Sequence, residues 1–346
     1  MKSGIMAVTA VLLCLPAAAL DAPTSIDNAR IETRSGSTPA AALDGIGRGK
    51  TAEWVGWSVP VIPKAGDLCC FTGNFKRRGC SLSDRKESWG SSDQFERSGS
   101  KEIYVFVEAK GGLPSRVRVV SPDCSIDGAD RRLVWLGPVD PGASLTVLGR
   151  LLDAKASEDD VAEPALNAIA LHLDSAADAL IEKRALDRSL SEDSRKQAIF
   201  WAGNARGEAG YRLVERLLLS DPSGDIREHA VFALTQSSFP GAADRIKRVA
   251  LEDRDNDVRA QALFWLAQTN AEGAGEWIVG RLDAEKDDHV REQAVFALSQ
   301  LKDGTDWLLK VLRSKRDVET IRRALFWLGQ SEDPRALQEI EKILAR

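Results

Sequence analysis

RAQALFWLA, residues 259–267, has four near-copies in the same chain: RKQAIFWAG from Arg195, REHAVFALT from Arg227, REQAVFALS from Arg291 and RRALFWLGQ from Arg322. Their shared alanines, Ala198, Ala230, Ala262, Ala294 and Ala324, are spaced 32, 32, 32 and 30 residues apart. Two positions on comes a phenylalanine each time (Phe200, Phe232, Phe264, Phe296, Phe326), and the next position alternates Trp201, Ala233, Trp265, Ala297, Trp327. A second apolar stretch completes each unit: YRLVERLLL, DRIKRVAL, EWIVGRL, DWLLKVL and ALQEIEKIL. Apolar residues recur at intervals of three and four in both stretches, which predicts amphipathic helices. A divergent copy, ALNAIALHL followed by ADALIEKRAL, precedes them, so six helical pairs are expected over residues 161–346. Such a pair cannot bury its apolar face alone, so the units must stack.

Asp193, Asp225 and Asp257 stand at the starts of first helices and read as caps, with His289 in the equivalent place of the fourth unit. The phenylalanines carry two readings. At about 100° per residue, Val258, Ala262, Trp265 and Leu266 form the core stripe, and Phe264 lies off it. Either each ring wedges between the first helices of successive units, or Phe200, Phe232, Phe264, Phe296 and Phe326 form an exposed strip for a partner. The Trp/Ala alternation reads as packing, large against small in successive layers.

The pattern D-[VI]-R-x-x-A-x-x-A-L, as in Asp225-Ile226-Arg227 and Asp257-Val258-Arg259, resembles the short HEAT repeats of the phycobilisome-lyase-like type. The resemblance implies an α-α solenoid. It also implies that the recurrent arginine, here Arg195, Arg227, Arg259 and Arg291, stacks into a ladder with acidic neighbours. Ile321 takes the arginine's place in the last unit, so the ladder is expected to stop before it. Two enzyme classes use related repeats. The hydroxylase type needs repeated His-Glu pairs, and this chain offers only Glu228-His229 and an isolated His289. The bilin lyase type attaches a pigment to a partner's cysteine, and the thiols here lie outside the repeats. No catalytic, cofactor-binding or metal-ligating residue is therefore assigned, and no cofactor is expected.

Residues 24–153 have another texture. Trp54 to Ile62, Ile103 to Val107, Arg116 to Val120 and Leu133 to Leu136 read as strands, the middle two paired through a Gly111-Gly112 turn, and Ser144 to Leu152 reads as a helix. The segments W-V-G-W-S-V-P from Trp54, Cys69-Cys70, and Asp123 to Asp127 resemble those ahead of HEAT repeats in some exported bacterial proteins. The fold class is thus α+β multidomain: a small disulfide-bearing β-rich domain, a linker over 154–160, then the solenoid. Trp54, Trp57 and Trp135 offer a place where a small ligand could bind.

The first residues read as a secretory signal peptide over 1–19: Lys2, an apolar run, then Ala17-Ala18-Ala19. Removing it leaves Cys69, Cys70, Cys80 and Cys124, an even number that in an exported chain implies two disulfides. Strain in bonding neighbours favours Cys69 and Cys70 each reaching Cys80 or Cys124. The localisation expected is periplasmic or secreted, with no membrane span once the signal is gone. A net charge of −5 argues against a nucleic-acid binder. Gly45 to Thr51 lacks the first glycine of a phosphate loop, and Asp253-x-Asp255-x-Asp257 lacks the turn glycine of a calcium loop. The function expected is a non-catalytic scaffold or adaptor that binds another protein along the solenoid. The alternative is a HEAT-type enzyme, lyase- or hydroxylase-like, acting on a protein-bound group.

Overall fold

The computed structural model describes residues 22–63, 68–72, 77–82, 88–89, 100–154, 157–314 and 316–344. The expected signal segment, most of the polar loop that follows Cys80 and the Cys70 side chain lie outside them.

The N-terminal unit is built on a five-stranded sheet: β1 (Arg30–Thr33), β2 (Glu53–Pro60), β3 (Glu102–Lys110), β4 (Leu113–Val120) and β5 (Arg132–Pro138). Its order is β1-β5-β2-β3-β4, with β5 parallel to both neighbours and the other pairs antiparallel. The expected strands are all present, and β3 and β4 do turn at Gly111-Gly112, both at positive φ. The sequence reading missed β1, a short polar edge strand, and the six-residue helix α1 (Pro39–Asp44).

Alternation along β2 sends side chains into two cores. Val55, Trp57 and Val59 face the helices, while Trp54 joins Phe106, Trp135 and the cysteines on the other side. Gly56 lies beneath two of these rings, and a Cβ there would meet Phe106 at 2.7 Å. Because the sheet is covered on both faces, Trp54, Trp57 and Trp135 are only 0%, 0% and 3% exposed. They are core residues and present no ligand surface, which corrects the small-ligand reading. The Gly45–Thr51 loop likewise turns back on its own sheet, with the Gly47 N–H donating to Glu53 Oε2 at 2.7 Å. It follows a helix and precedes a strand, the reverse of a phosphate loop.

Cys69 and Cys124 form a disulfide with Cα atoms 5.4 Å apart. Cys80 is also disulfide-bonded, and its Sγ lies 3.7 Å from that of Cys124. The three sulfurs are close enough for a metal site, but as disulfides they offer no thiolate.

Helix α2 (Pro141–Leu152) bridges the sheet and the first repeat. The passage expected as a linker is partly structured: Glu158–Ala162 form a π-helical turn that runs into α3 (Glu163–Leu171). Arg184 pairs with Glu158, and the Ser194 hydroxyl donates to the same carboxylate at 3.1 Å. One apolar core passes from Trp57 through Leu148 and Leu166 into the repeats. At this junction Ser144 Oγ accepts from Trp57 Nε1–H and sits 2.9 Å from His172 Nε2. A carbonyl can only accept, so Nδ1–H donates to Ala168 at 2.6 Å, which in the neutral ring leaves Nε2 to accept from the Ser144 hydroxyl. This places His172 in a fully buried network that the neutral ring satisfies.

The remaining helices are α4 (Ala176–Leu186), α5 (Glu192–Ala205), α6 (Gly207–Ser220), α7 (Gly224–Thr235), α8 (Ala242–Glu252), α9 (Asn256–Gln268), α10 (Ala274–Leu282), α11 (Asp288–Ser299), α12 (Gly304–Leu312), α13 (Val318–Gly329) and α14 (Pro334–Leu344). They form the six expected pairs, α3/α4 to α13/α14. From α5 to α13, the first helices of successive pairs contact one another extensively, while the second helices meet at few places. The first helices therefore make the inner layer of a curved stack. Gly203 of α5 lies against Ala233 of α7, where a Cβ would meet the backbone oxygen at 2.3 Å.

The caps correct the sequence reading. Ser191, Ser223, Asp255, Asp287 and Asp317 accept from backbone N–H groups at the starts of α5, α7, α9, α11 and α13. Asp193, Asp225, Asp257 and His289 sit two residues inside, in the first turn, where the carboxylates complement the helix dipole.

The arginine ladder is present and interlocked. Arg195 pairs with Asp221; Arg227 pairs bidentately with Asp253 at 2.9 and 3.0 Å; Arg259 meets Glu285 at 3.3 Å. Each acidic partner ends a second helix or the turn after it. Its backbone carbonyl then accepts from the next arginine: Asp221 from Arg227, Asp253 from Arg259 and Glu285 from Arg291. Arg291 has Asp288 as its carboxylate partner, so the interlocking stops at the last unit, as Ile321 implied.

Two outcomes follow for stability. Asp253→Ala strands the Arg227 guanidinium, 3% exposed, and should lower unfolding stability in urea by about 3–5 kcal/mol. The double variant Arg227→Met/Asp253→Leu should lose clearly less than the sum of its single changes. Burial holds His172 below its ordinary pKa of 6.5, so the unfolded chain takes up a proton first on acidification. The stability from this site is complete above pH 6.5 and falls as the pH drops through and below it. His172→Gln should flatten that part of the curve.

Candidate functional site

The outward stripe of each first helix repeats one order of side chains. Positions i, i+4, i+7 and i+11 share a helix face. In α9 they are Asp257, Gln261, Phe264 and Gln268, and in α7 Asp225, His229, Phe232 and Gln236. In α5 they are Asp193, Gln197, Phe200 and Asn204, in α11 His289, Gln293, Phe296 and Gln300, and in α13 Glu319, Arg323, Phe326 and Gln330. Stacking the helices turns these stripes into four parallel rows: an acidic rim, a mostly amide row, an aromatic row and a second amide row. Asn204, Gln236, Gln268, Gln300 and Gln330 are all exposed.

Both readings of the phenylalanines describe part of what the structure holds. The rings do stack between successive first helices: Phe200 on Phe232 at 6.1 Å and Phe264 on Phe296 at 5.8 Å. Trp265 bridges Phe232 and Phe264 at 4.8 and 5.0 Å, and Trp327 bridges Phe296 and Phe326 at 4.7 and 5.0 Å. With Trp201 against Phe200, eight rings form one unbroken chain. Yet none of the eight is fully buried, and Phe326 is 54% exposed. Trp265 packs against the core as expected, but only partly buried. It leans back over the preceding unit, where Ala233, like Ala297 one double-unit on, is fully buried.

The rim is unevenly charged. Glu228, partly buried beside it, is pushed above its ordinary carboxyl range by burial and then by the negative charges of Asp225, Asp257 and Asp255, with Lys196 opposing. Toward the last unit the acids find partners, as in Arg323 with Glu292 at 2.7 Å and with Glu319 at 3.1 Å. His289 lies 3.2 Å from Asp257. His229 sits mid-helix in α7 against Phe232, ring centroids 5.5 Å apart, and burial lowers its pKa. The carboxylates of the calcium-like triplet are already engaged, Asp253 by Arg227 and Asp255 as the α9 cap.

An open cleft of about 660 Å³ lies at the turns around Gly273, Gly304 and Trp307. The one arginine lining it, Arg335, is already paired with Asp306 and Asp333.

A family model for HEAT repeats matches residues 211–299, and one for PBS lyase HEAT-like repeats matches residues 321–346. The chain contains HEAT repeats. A search of the curated proteins finds no match. Among solved structures, human deoxyhypusine hydroxylase in complex with glycerol is similar to this chain at 14% identity, covering 58% of this chain and 90% of that one, with a TM-score of 0.29. YibA of Escherichia coli shares 19% identity, covering 60% and 79%, with a TM-score of 0.36.

The partial burial of the rings sets a measurable expectation. Phe264→Ala should cost about 1–2 kcal/mol, less than the 3–5 kcal/mol of a fully buried ring, with helicity by circular dichroism unchanged. Phe326→Ala, at the exposed end of the row, should cost under about 0.5 kcal/mol in the same measurement.

Proposed function

We propose that the chain is a non-catalytic scaffold or adaptor of the cell envelope that binds another protein along the solenoid surface. The observation that carries the reading is the unbroken row of eight incompletely buried rings on the inner helices. A contiguous apolar strip edged by polar groups is the composition of an association surface. The signal-like N-terminus and the disulfide support a periplasmic or secreted setting.

Affinity capture from envelope extract tests this. The full chain should retain a saturable partner that Phe264→Ala/Phe296→Ala loses at unchanged helicity. Equal retention by both proteins would sink the reading. Stoichiometric iron or zinc in the purified protein would turn it toward the hydroxylase-like alternative.

A further inference from the structure

We propose that a cleft on the outer layer, between the end of α6 and α8, binds the C-terminal carboxylate of a partner polypeptide that ends in an aliphatic residue. The site lies on the second helices, apart from the aromatic row, so it goes beyond the scaffold reading and does not depend on it.

A break in the repeat pattern points to it. Lys183 of α4, Arg216 of α6 and Arg248 of α8 hold equivalent places, 33 and 32 residues apart. Lys183 pairs back to Asp153 at 2.8 Å and Arg216 to Glu182 at 2.5 Å. The carboxylate equivalent to Glu182 in the next unit is Glu215, and Arg245 takes it. Arg248 is left with no ion pair or hydrogen bond among the described residues. In the unit after that, Gly280 stands at the same position and carries no charge.

A cleft of about 290 Å³ opens beside this arginine. Its apolar lining is Leu218, Leu219 and Val249, with Leu219 69% exposed. Arg254 enters from the turn after α8. Its Nη2 donates to the Asp221 and Pro222 carbonyls at 3.1 and 3.3 Å, which leaves Nε and Nη1 without a partner among the described residues. Arg227 is matched by Asp253 and Arg245 by Glu215, so Arg248 and Arg254 stand against Glu252 alone, an excess of one positive charge. The other clefts differ. The one at Gly273 and Trp307 sets two cations against four carboxylates, and those lined by Arg291 and Arg323 or by Arg212 and Arg216 pair each arginine with a carboxylate.

That balance selects the ligand. A guanidinium fork gives a carboxylate two charge-assisted hydrogen bonds, and one carboxylate neutralises the excess. A phosphate monoester, at about −1.5 to −2, would overshoot it next to Glu252. The volume is at the lower end for ligand sites, so it suits the last residues of a chain better than a segment that runs on past it. The three aliphatic side chains can cover one apolar side chain of the ligand, and Glu252 can accept from its peptide N–H.

Fluorescence anisotropy of N-terminally labelled peptides with the purified full chain tests this. The probe is Gly-Ser-Gly-Val-Leu with a free carboxylate. It should bind saturably, at least about tenfold tighter than the same peptide as its C-terminal amide, and severalfold tighter than Gly-Ser-Gly-Val-Ser. Arg248→Gln and Arg254→Gln should each weaken binding at least about fivefold at unchanged helicity. Leu219→Ser should remove the preference for the terminal leucine, and Arg212→Gln, outside the cleft, should change nothing. Equal binding of acid and amide, indifference to Arg248→Gln, or no saturation below about 1 mM would overturn the proposal. So would displacement of the peptide by an equal concentration of inorganic phosphate, or equal binding of an amidated peptide whose carboxylate is an internal glutamate. If the peptides fail while envelope capture still depends on Phe264 and Phe296, this inference falls and the scaffold reading stands.

Discussion

The stack depends on carboxylates that each answer two arginines at once. Asp221 uses its side chain for Arg195 and its backbone carbonyl for Arg227, and Asp253 does the same for Arg227 and Arg259. A charge buried this deeply is tolerable only with its partners in place. The pairing therefore fixes how far each unit can slide or rotate against the next, which apolar contact alone specifies poorly. The rows on the inner surface inherit that register. Without it, Phe232 would not meet Phe200 and Trp265, and the amides would not fall into line.

The N-terminal unit is anchored to the same body through a shared core and the His172–Ser144–Trp57 contact. Glu158 is held from two directions, by Arg184 and Ser194. The β-rich unit thus sits on the first repeat as an extension of the stack, with its disulfide on the sheet face turned away from the helices.

How much of this was legible in the sequence follows from the range of each interaction. The repeats were plain because their signal is a period, and the number of helical pairs came from it directly. The arginines were implied by family resemblance, but their acidic partners were not identified, because they sit 26 residues on, at the end of another helix. The caps were misplaced by two residues because serine and aspartate compete for the same role, and the serines at 191 and 223 won. The tryptophans of the β-rich unit were misread as a ligand surface, since burial on both faces of a sheet cannot be seen from one strand. The amide rows had a visible signal, an Asn or Gln four residues after every repeat phenylalanine, which the eye passes over because each is unremarkable alone. The phenylalanines themselves could not be assigned to core or surface because they are partly both.

The shared carbonyls carry an implication for how such a chain lengthens. Each unit arrives with an arginine that needs a carbonyl behind it and a carboxylate that offers one ahead. A duplicated block of 32 residues inserted mid-array would find both halves of its joint already waiting. Among the described residues the unit of α13 and α14, with Ile321 where the arginine would be, lacks that coupling.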